Sequence, residues 1–486
     1  MPNEKETIMA VRFDTDFTMT VNGTGVAGES TFDVLNPADE TVVAQAPDCT
    51  RAQLDQAVAA ARAAFPEWSS LLIDQRRRHL VAMAQTLDAN VDALKRLLTA
   101  EQGKTWDEAA TEIAGAAYWL RETATLNLPE VVNEDSADRL SITRHVPLGV
   151  VGAIAPWNFP LGLAAFKLSS ALLAGNTVVL KPSPFTPLTT LKVGELLRDV
   201  LPPGVLNVVS GGDELGPWLT AHPDIDKIGF TGSTLTGRKV MASAAPSLKH
   251  VTLELGGNDP AIVLADVDVA TVAPALFWGA FYSSGQVCLA AKRVYLHADI
   301  YEPMKRALAD IAGTVKVGNG AEEGVELGPV QNRPQYERVL DLIRDARQQG
   351  YDFLTGGLPT ARKGYFVPLT LIDNPPEDSR IVVEEQFGPV LPLLKFDDLE
   401  DVIARANASE FGLGASVWSA NTDRAVEVGR RLQAGTVWIN EIQHLTPLVA
   451  FAGHKQSGVG TESGLEGLLE YTAPQTITVR RSHPAA

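Results

Sequence analysis

Three side chains in this sequence have the types and settings that covalent carbonyl chemistry needs: a thiol, a carboxylate and an amide. Cys288 closes the run Ser283-Ser284-Gly285-Gln286-Val287-Cys288, just ahead of the strand-like Lys292–His297. A thiol at a glycine-marked loop–strand junction can face a ligand, and it attacks carbon once a base or a positive field ionises it. Taken alone, it reads more readily as a buried core cysteine. Glu254 is the candidate base. In Val251-Thr252-Leu253-Glu254-Leu255 the apolar residues alternate, so Glu254 faces away from them and runs straight into Gly256-Gly257-Asn258. Desolvation there would raise its pKa towards base duty; the plain alternative is a solvated strand carboxylate. Asn158 lies between Pro156 and Pro160. A rigid, neutral donor suits a developing oxyanion, although an asparagine so placed also serves as an ordinary turn residue.

Two further segments have the form of a nucleotide site. Thr177–Lys181 reads as a strand with Lys181 at its carboxyl end, where open parallel sheets bind ligands. Phe230-Thr231-Gly232-Ser233-Thr234-Leu235-Thr236-Gly237 reads as strand, turn and helix, with Gly232 and Ser233 at the helix N-terminus where a pyrophosphate would sit. It is neither a G-x-G-x-x-G turn nor a P-loop, since Arg238 stands where the Walker lysine would be.

The elements that must position these residues alternate between helix and strand. Phe17–Ala46 reads as short strands and turns. Arg51–Trp68 has helical spacing behind a Thr50 N-cap, and long helices continue over Leu71–Gln102 and Thr105–Leu126. Arg139–Pro147 alternates like an exposed strand in a hairpin. From Gly149 the strands Val150–Ala155, Thr177–Lys181, Leu206–Val209, Lys227–Phe230 and Val251–Leu255 are separated by helices, one of them Leu188–Val200 with Thr186 as its N-cap. That is the βαβ signature of a parallel, doubly wound sheet. A second α/β series follows a break near Gly256: Val269–Tyr282, Lys292–His297, Ile300–Ile311, Arg333–Gln349 and Asp398–Ala406. The tail Gln475–Arg480 is again a strand, free to pair with the earlier hairpin or with another subunit.

Composition removes several function classes. Lys plus Arg is 41 and Asp plus Glu is 59, a net charge of −18 over 486 residues, which argues against nucleic acid as a partner. Two cysteines, Cys49 and Cys288, make neither a disulfide framework nor a cysteine-based zinc site. The opening MPNEKETIMAVRFDTDF has no apolar core for a secretory signal, and Pro147–Leu180 is too interrupted for a membrane span, so a cytoplasmic location is expected.

Seven segments, in order, resemble the aldehyde dehydrogenase superfamily: APWNFP (155–160), KPSPFTP (181–187), FTGSTLTG (230–237), LELGGNDP (253–260), SGQVC (284–288), EEQFGPV (384–390) and AGHKQSG (452–458). The resemblance runs from about Phe17 to the C-terminus. It implies an α/β fold with a Rossmann-type cofactor domain (1–127 and 148–255), an α/β catalytic domain (256–460) and a small β oligomerisation element (128–147 and 470–486). It implies oxidation of an aldehyde to the acid with NAD or NADP, through a thiohemiacetal and a thioester. Cys288 then matches the nucleophile, Glu254 the base, and Asn158 the oxyanion donor beside the Cys288 backbone N–H. Lys167 and Glu462 match residues linked to proton movement. Lys181 resembles the adenosine-ribose contact, Trp157 and Ser233 the pyrophosphate neighbours, and Glu385 and Phe387 the surroundings of the nicotinamide ribose and ring.

The sequence departs from the family where a glutamate often holds the adenosine 2′-hydroxyl. Pro184 stands there, and Lys181 with Ser183 could contact a 2′-phosphate, which leaves both cofactors open. Phe159, Phe166, Val287, Leu289 and Phe451 match positions of the family's substrate tunnel. They are all apolar, which leans towards an aromatic or medium-chain aliphatic aldehyde rather than a carboxylated one. His444 falls in the loop that often sets specificity. The resemblance also implies a homodimer or homotetramer. A CoA-acylating relative is the alternative, but such enzymes usually lack the carboxylate found at Glu254.

Overall fold

The computed structural model describes residues 11–481, so the first ten residues of the opening stretch and residues 482–486 of the tail lie outside it. Two open sheets dominate. The first has five parallel strands in the spatial order Leu206–Val208, Thr177–Lys181, Val150–Ile154, Lys227–Thr231 and His250–Glu254, with short antiparallel strands on both edges. The inner strands of this sheet are buried throughout, as their unbroken apolar runs require. The chain enters at the central strand Val150–Ile154, winds out to Leu206, then crosses back to Lys227. The order therefore reverses between Val150–Ile154 and Lys227–Thr231, and a crevice opens at their carboxyl ends.

The second sheet has seven strands. Six run parallel, in the order Thr370–Asp373, Val390–Phe396, Ala291–His297, Asp259–Val263, Gly414–Trp418 and Thr436–Ile439, and Asp352–Thr355 is antiparallel at one edge. The sheet changes between Glu254 and Asp259, so the glycines in between join the two halves. The chain returns to the first sheet at Gly458–Val459, which pairs with Leu253 and Glu254. A third sheet joins Val131–Asp135, Arg139–Pro147 and Thr472–Arg480; the last two align over nine residues within this one chain. Among the described residues no helix is long and apolar enough to cross a membrane.

Local signals explain most of these elements. Thr50 caps Arg51–Ser70 by accepting from Gln53 N, with the reciprocal Gln53 contact completing a capping box. Pro160–Ala174 starts on a proline and stops at Gly175, whose φ of +102° favours glycine. Two expectations fail. The single helix over Leu71–Gln102 is two helices, Ile73–Ala89 and Val91–Gln102, broken at Asn90. Thr186 does not cap Leu188–Leu196; the first residues of that helix give their N–H groups to a remote carboxylate, Glu101, at 2.7 and 2.8 Å. Proximity in sequence suggested the threonine, but a buried carboxylate is the stronger acceptor.

Candidate active site

The reversal of strand order places several of the singled-out residues around one cavity of about 680 Å³. Trp157 and Asn158 reach it from the first strand of the crevice, Gly232 and Ser233 from the second, and Cys288, Glu385 and Phe387 from the other half of the molecule.

The nucleophile candidate sits on an over-determined loop. Ser283, Ser284 and Gly285 have φ of +51°, +55° and +73°, three left-handed residues in succession. For the two serines that costs about 1–2 kcal/mol each. Specific bonds offset it: Ser283 N donates to Glu108 Oε1 at 2.9 Å, Ser284 Oγ to the Gly328 carbonyl at 2.6 Å, and Gln331 N to Gln286 Oε1 at 2.8 Å. Cys288 itself is half-buried and borders the cavity, which removes the core-cysteine reading. Burial pushes its thiol up to about 12, opposed chiefly by Lys292, while the carboxylates of Asp259, Glu254 and Glu385 push the same way as burial.

Asn158 is buried, and its Nδ2 donates to the Gln286 carbonyl at 3.0 Å. An amide nitrogen carries two donors, so one is left for a ligand oxygen. Its own carbonyl accepts from Lys104 Nζ at 2.9 Å, and Lys104 pairs with Glu112 at 2.5 Å. Glu112 Oε1 also accepts from Leu161 N and Gly162 N, which fixes the helix start just past Asn158.

Glu254 ends the last parallel strand of the first sheet, in register with Thr231. It is only 5 % exposed, so it is no solvated surface carboxylate, and neither of its oxygens has a hydrogen-bond partner. Desolvation raises its pKa well above the usual range; Glu462 adds to that and Lys167 opposes it. Lys167 and Glu462 are themselves buried and paired at 2.6 Å, with Glu462 Oε2 unpartnered. The two glycines after Glu254 act differently from the expectation. Neither has a left-handed φ; they make room. A Cβ on Gly256 would meet Glu385 Oε2 at 2.4 Å, and one on Gly257 would meet the Cys288 carbonyl at 2.7 Å.

The nucleotide candidates fit a dinucleotide. Ser233 caps the helix Thr234–Ala244 by accepting from Thr236 N, so that helix points its N-terminus at the crevice. A Cβ on Gly232 would strike the Phe230 ring at 2.5 Å, which keeps this turn bare for close approach. Trp157 and Phe387 meet edge to face at 5.4 Å on the cavity wall. Glu385 Oε1 accepts from Gly257 N at 3.0 Å. Lys181 and Ser183 lie beyond the cavity lining, one strand further out. Lys181 is buried, which lowers its pKa to about 8, and Ser183 Oγ accepts from Phe185 N.

The apolar candidates divide. Phe159, Val287, Leu289 and Phe451 pack into one cluster with Cys288. Phe166 packs against the core of the first half and stacks on Trp119 at 4.0 Å. His444 is exposed, and it is its carbonyl that makes the contact, accepting from Trp438 Nε1; the next residue, Leu445, joins the cluster instead. Reading the sequence missed Lys104, Glu108, Glu112 and Lys292. The one available signal was the i, i+4 spacing of Glu108 and Glu112 on a helix, a pattern that normally marks a solvated face.

Residues 25–477 match the family model described as the aldehyde dehydrogenase family. A protein called probable aldehyde dehydrogenase from a Pseudomonas species is 43% identical over 472 residues, covering 96% of this chain and 95% of that one. Phenylacetaldehyde dehydrogenase of Pseudomonas fluorescens is 40% identical over 479 residues, with 95% of each chain covered. The NAD+ complex of aldehyde dehydrogenase from Bacillus cereus superposes with a TM-score of 0.94 at 38% identity, over 97% of this chain and 98% of that one. With such matches over almost its whole length, the chain belongs to the aldehyde dehydrogenase family.

Proposed function

We propose that this chain oxidises an aldehyde to its carboxylic acid with NAD+ or NADP+, using Cys288 as nucleophile, Glu254 as general base and Asn158 with the Cys288 backbone N–H as oxyanion donors. The observation that carries the reading is Glu254: a buried carboxylate with both oxygens free, within the electrostatic reach of a thiol that borders the cavity. Burying an unpartnered carboxylate is costly, and it is kept where a reaction uses it.

Cys288 sulfur attacks the aldehyde carbon, and its proton leaves to a base. As the C–S bond forms the C=O π bond opens, and the oxygen takes up that electron pair as a thiohemiacetal oxyanion, stabilised by the Asn158 amide and the Cys288 N–H. An oxidised nicotinamide held there would accept the hydride whose loss makes this adduct a thioester. Glu254 then removes a proton from water, which adds to the thioester and frees the acid and the thiol. Lys167 and Glu462 pass that proton on from Glu254. Ser233, Gly232 and Trp157 would hold the pyrophosphate, Lys181 and Ser183 the adenosine side, and Glu385 with Phe387 the nicotinamide riboside.

The apolar cluster around Cys288 favours an aromatic or medium-chain aliphatic substrate, in line with the phenylacetaldehyde relative. The half up to residue 255 holds the cofactor, and the half from 256 carries the nucleophile. The three-stranded sheet pairs two copies or four: its outer strands expose Val131, Val132, Ile477 and Val479.

The test is nicotinamide reduction with NAD+ and NADP+ separately, against aromatic, aliphatic and carboxylated aldehydes. Cys288→Ala should lose turnover by about 10,000-fold or more while still binding cofactor. Full activity in that variant would remove Cys288 as nucleophile. Product release that required added CoA would favour the acyl-transferring alternative.

A further inference from the structure

Cys288 is set among acids. Glu254 at the end of one strand, Asp259 at the start of the next and Glu385 on the loop after Val383 all act to keep its proton on, as does burial. A thiol so placed stays protonated and is a poor nucleophile unless a cation answers those charges. The residue four places along, Lys292, is that cation. It is the second residue of the Ala291–His297 strand and is 3 % exposed. Its Nζ donates to the Cys288 carbonyl at 2.6 Å and lies 3.4 Å from Glu385 Oε1. The neighbouring Arg293 does not serve the thiol: its guanidinium is engaged with the carbonyls of Asn258 and Ala406. An ammonium this buried is expensive, and one carboxylate with one carbonyl is a small set of partners for it.

We propose that Lys292 is the positioning residue of the nucleophile: its ammonium fixes the Cys288 peptide and supplies the positive charge that allows the thiolate to form beside three carboxylates. The proposal rests on Cys288 being the nucleophile. It assigns Lys292 a role in attack on the aldehyde rather than in substrate or cofactor binding. The carbonyl bond holds the backbone that carries the sulfur, and the same ammonium opposes the charges that keep the proton on the thiol. Glu385 modulates the effect, because it shares the same ammonium.

The experiment is the rate of Cys288 alkylation by iodoacetamide as a function of pH, in the full-length protein, followed on the Cys288 peptide by mass spectrometry. Peptide mapping keeps the other thiol, the buried Cys49, out of the measurement. Lys292→Met should raise the midpoint above the wild-type value of about 12, so the effect is read as a slower rate at a fixed pH of about 9. At that pH the variant should react about threefold more slowly per unit of midpoint shift, about 3- to 30-fold for a shift of about 1–3 units, since the less acidic thiolate is the better nucleophile and offsets part of the loss. Lys292→Arg keeps the charge and should stay near the wild-type profile. An unchanged profile in Lys292→Met overturns the proposal. If Lys292→Met does not fold, Lys292→Gln decides: it keeps a donor for the Cys288 carbonyl without the charge, so alkylation at that pH should still slow, and an unchanged rate overturns the proposal. Alkylation reports the thiol directly, without turnover. Failure here is therefore distinct from failure of the catalytic reading, which would appear as an active Cys288→Ala.

Discussion

Two groups of buried glutamates flank the site, and they differ in what their oxygens do. Glu101, Glu108 and Glu112 lie on or beside the helix Trp106–Thr123, and all six of their carboxylate oxygens accept hydrogen bonds, from Leu188 and Thr189 N, Ser283 and Thr105 N, Leu161 and Gly162 N, and Lys104 Nζ. Glu254 and Glu462 lie across the first sheet, and of their four oxygens only Glu462 Oε1 has a partner. Residue type and burial are the same, yet the first group is fully engaged and the second is left largely bare; on the proposed function the first is scaffold and the second reactive. The difference lies in satisfaction. A carboxylate whose lone pairs are all engaged holds loops in place, and here those loops carry Asn158 and Cys288. A carboxylate left bare keeps its capacity to take a proton.

Glu254→Gln should break the comparison most visibly. The amide cannot act as a base, so thioester hydrolysis should slow by about 100- to 10,000-fold, with a burst of reduced nicotinamide still seen in rapid mixing. An unchanged burst and an unchanged steady state would reject the role. Wild-type hydrolysis should rise with pH beyond the ordinary carboxylate range, because the raised pKa keeps Glu254 protonated at acid pH. The same shift gives the sign of a stability effect. The unfolded carboxyl ionises near 4.5 and the folded one only at higher pH, so from about 4.5 upward the unfolded state holds fewer protons and stability declines. Glutamine removes that decline. The variant should melt above wild type at neutral pH while turning over more slowly; a lower melting temperature would place Glu254 with the scaffold.

The scaffold group should respond in the opposite sense. Glu112→Gln removes the charge paired with the buried Lys104 ammonium, which keeps the Asn158 carbonyl and the Phe159 ring 3.8 Å away, and leaves one amide oxygen to serve partners that two carboxylate oxygens served before. Breaking a buried pair in this way costs about 3–5 kcal/mol. Chemical denaturation should show that loss, together with a drop in kcat smaller than that of Glu254→Gln, through the displaced Asn158 loop. A Glu112→Gln protein as stable as wild type would mean that the ion pair holds nothing.

This contrast also separates what could be read from the sequence from what could not. As candidates, Cys288, Glu254 and Asn158 stand out in the sequence because each lies in a short segment whose neighbours, two prolines, two glycines or a glycine before the thiol, mark the backbone locally. The parallel strands were legible because strands buried on both faces are unbroken apolar runs. The scaffold was not legible. Glu108 meets Ser283, Glu112 meets Leu161, and Lys104 follows a left-handed Gly103 that reads as a surface turn. These partners are distant in sequence, so no window of residues contains both. Thr186 as a cap failed for the same reason, since the acceptor that replaced it lies 87 residues upstream. The packing of Phe166 on Trp119 and the exposure of His444 were not legible either, because an aromatic ring or an imidazole in a matching position says nothing about which way the side chain packs.

Glu101 tests the boundary between the groups. It is satisfied like the scaffold, yet burial raises its pKa to about 7, opposed by the bonds from Thr189 and Leu188. Its hydrogen bonds lower the cost of its charge without removing it. Glu101→Gln keeps one acceptor oxygen and turns the other towards a backbone N–H as a donor, so about 1–2 kcal/mol of stability should be lost with no change in kcat. The pH dependence should change more than the magnitude. In wild type this residue makes stability fall as pH rises from about 4.5 to about 7, because only the unfolded chain is ionised in that window. Glutamine does not titrate, so thermal melts across the window should be flatter by that contribution, and the deficit of the variant should be smaller at pH 7 than at pH 5. A kcat that follows the same window would instead move Glu101 into the reactive group, because a residue that only caps a helix has no reason to carry the reaction's pH dependence.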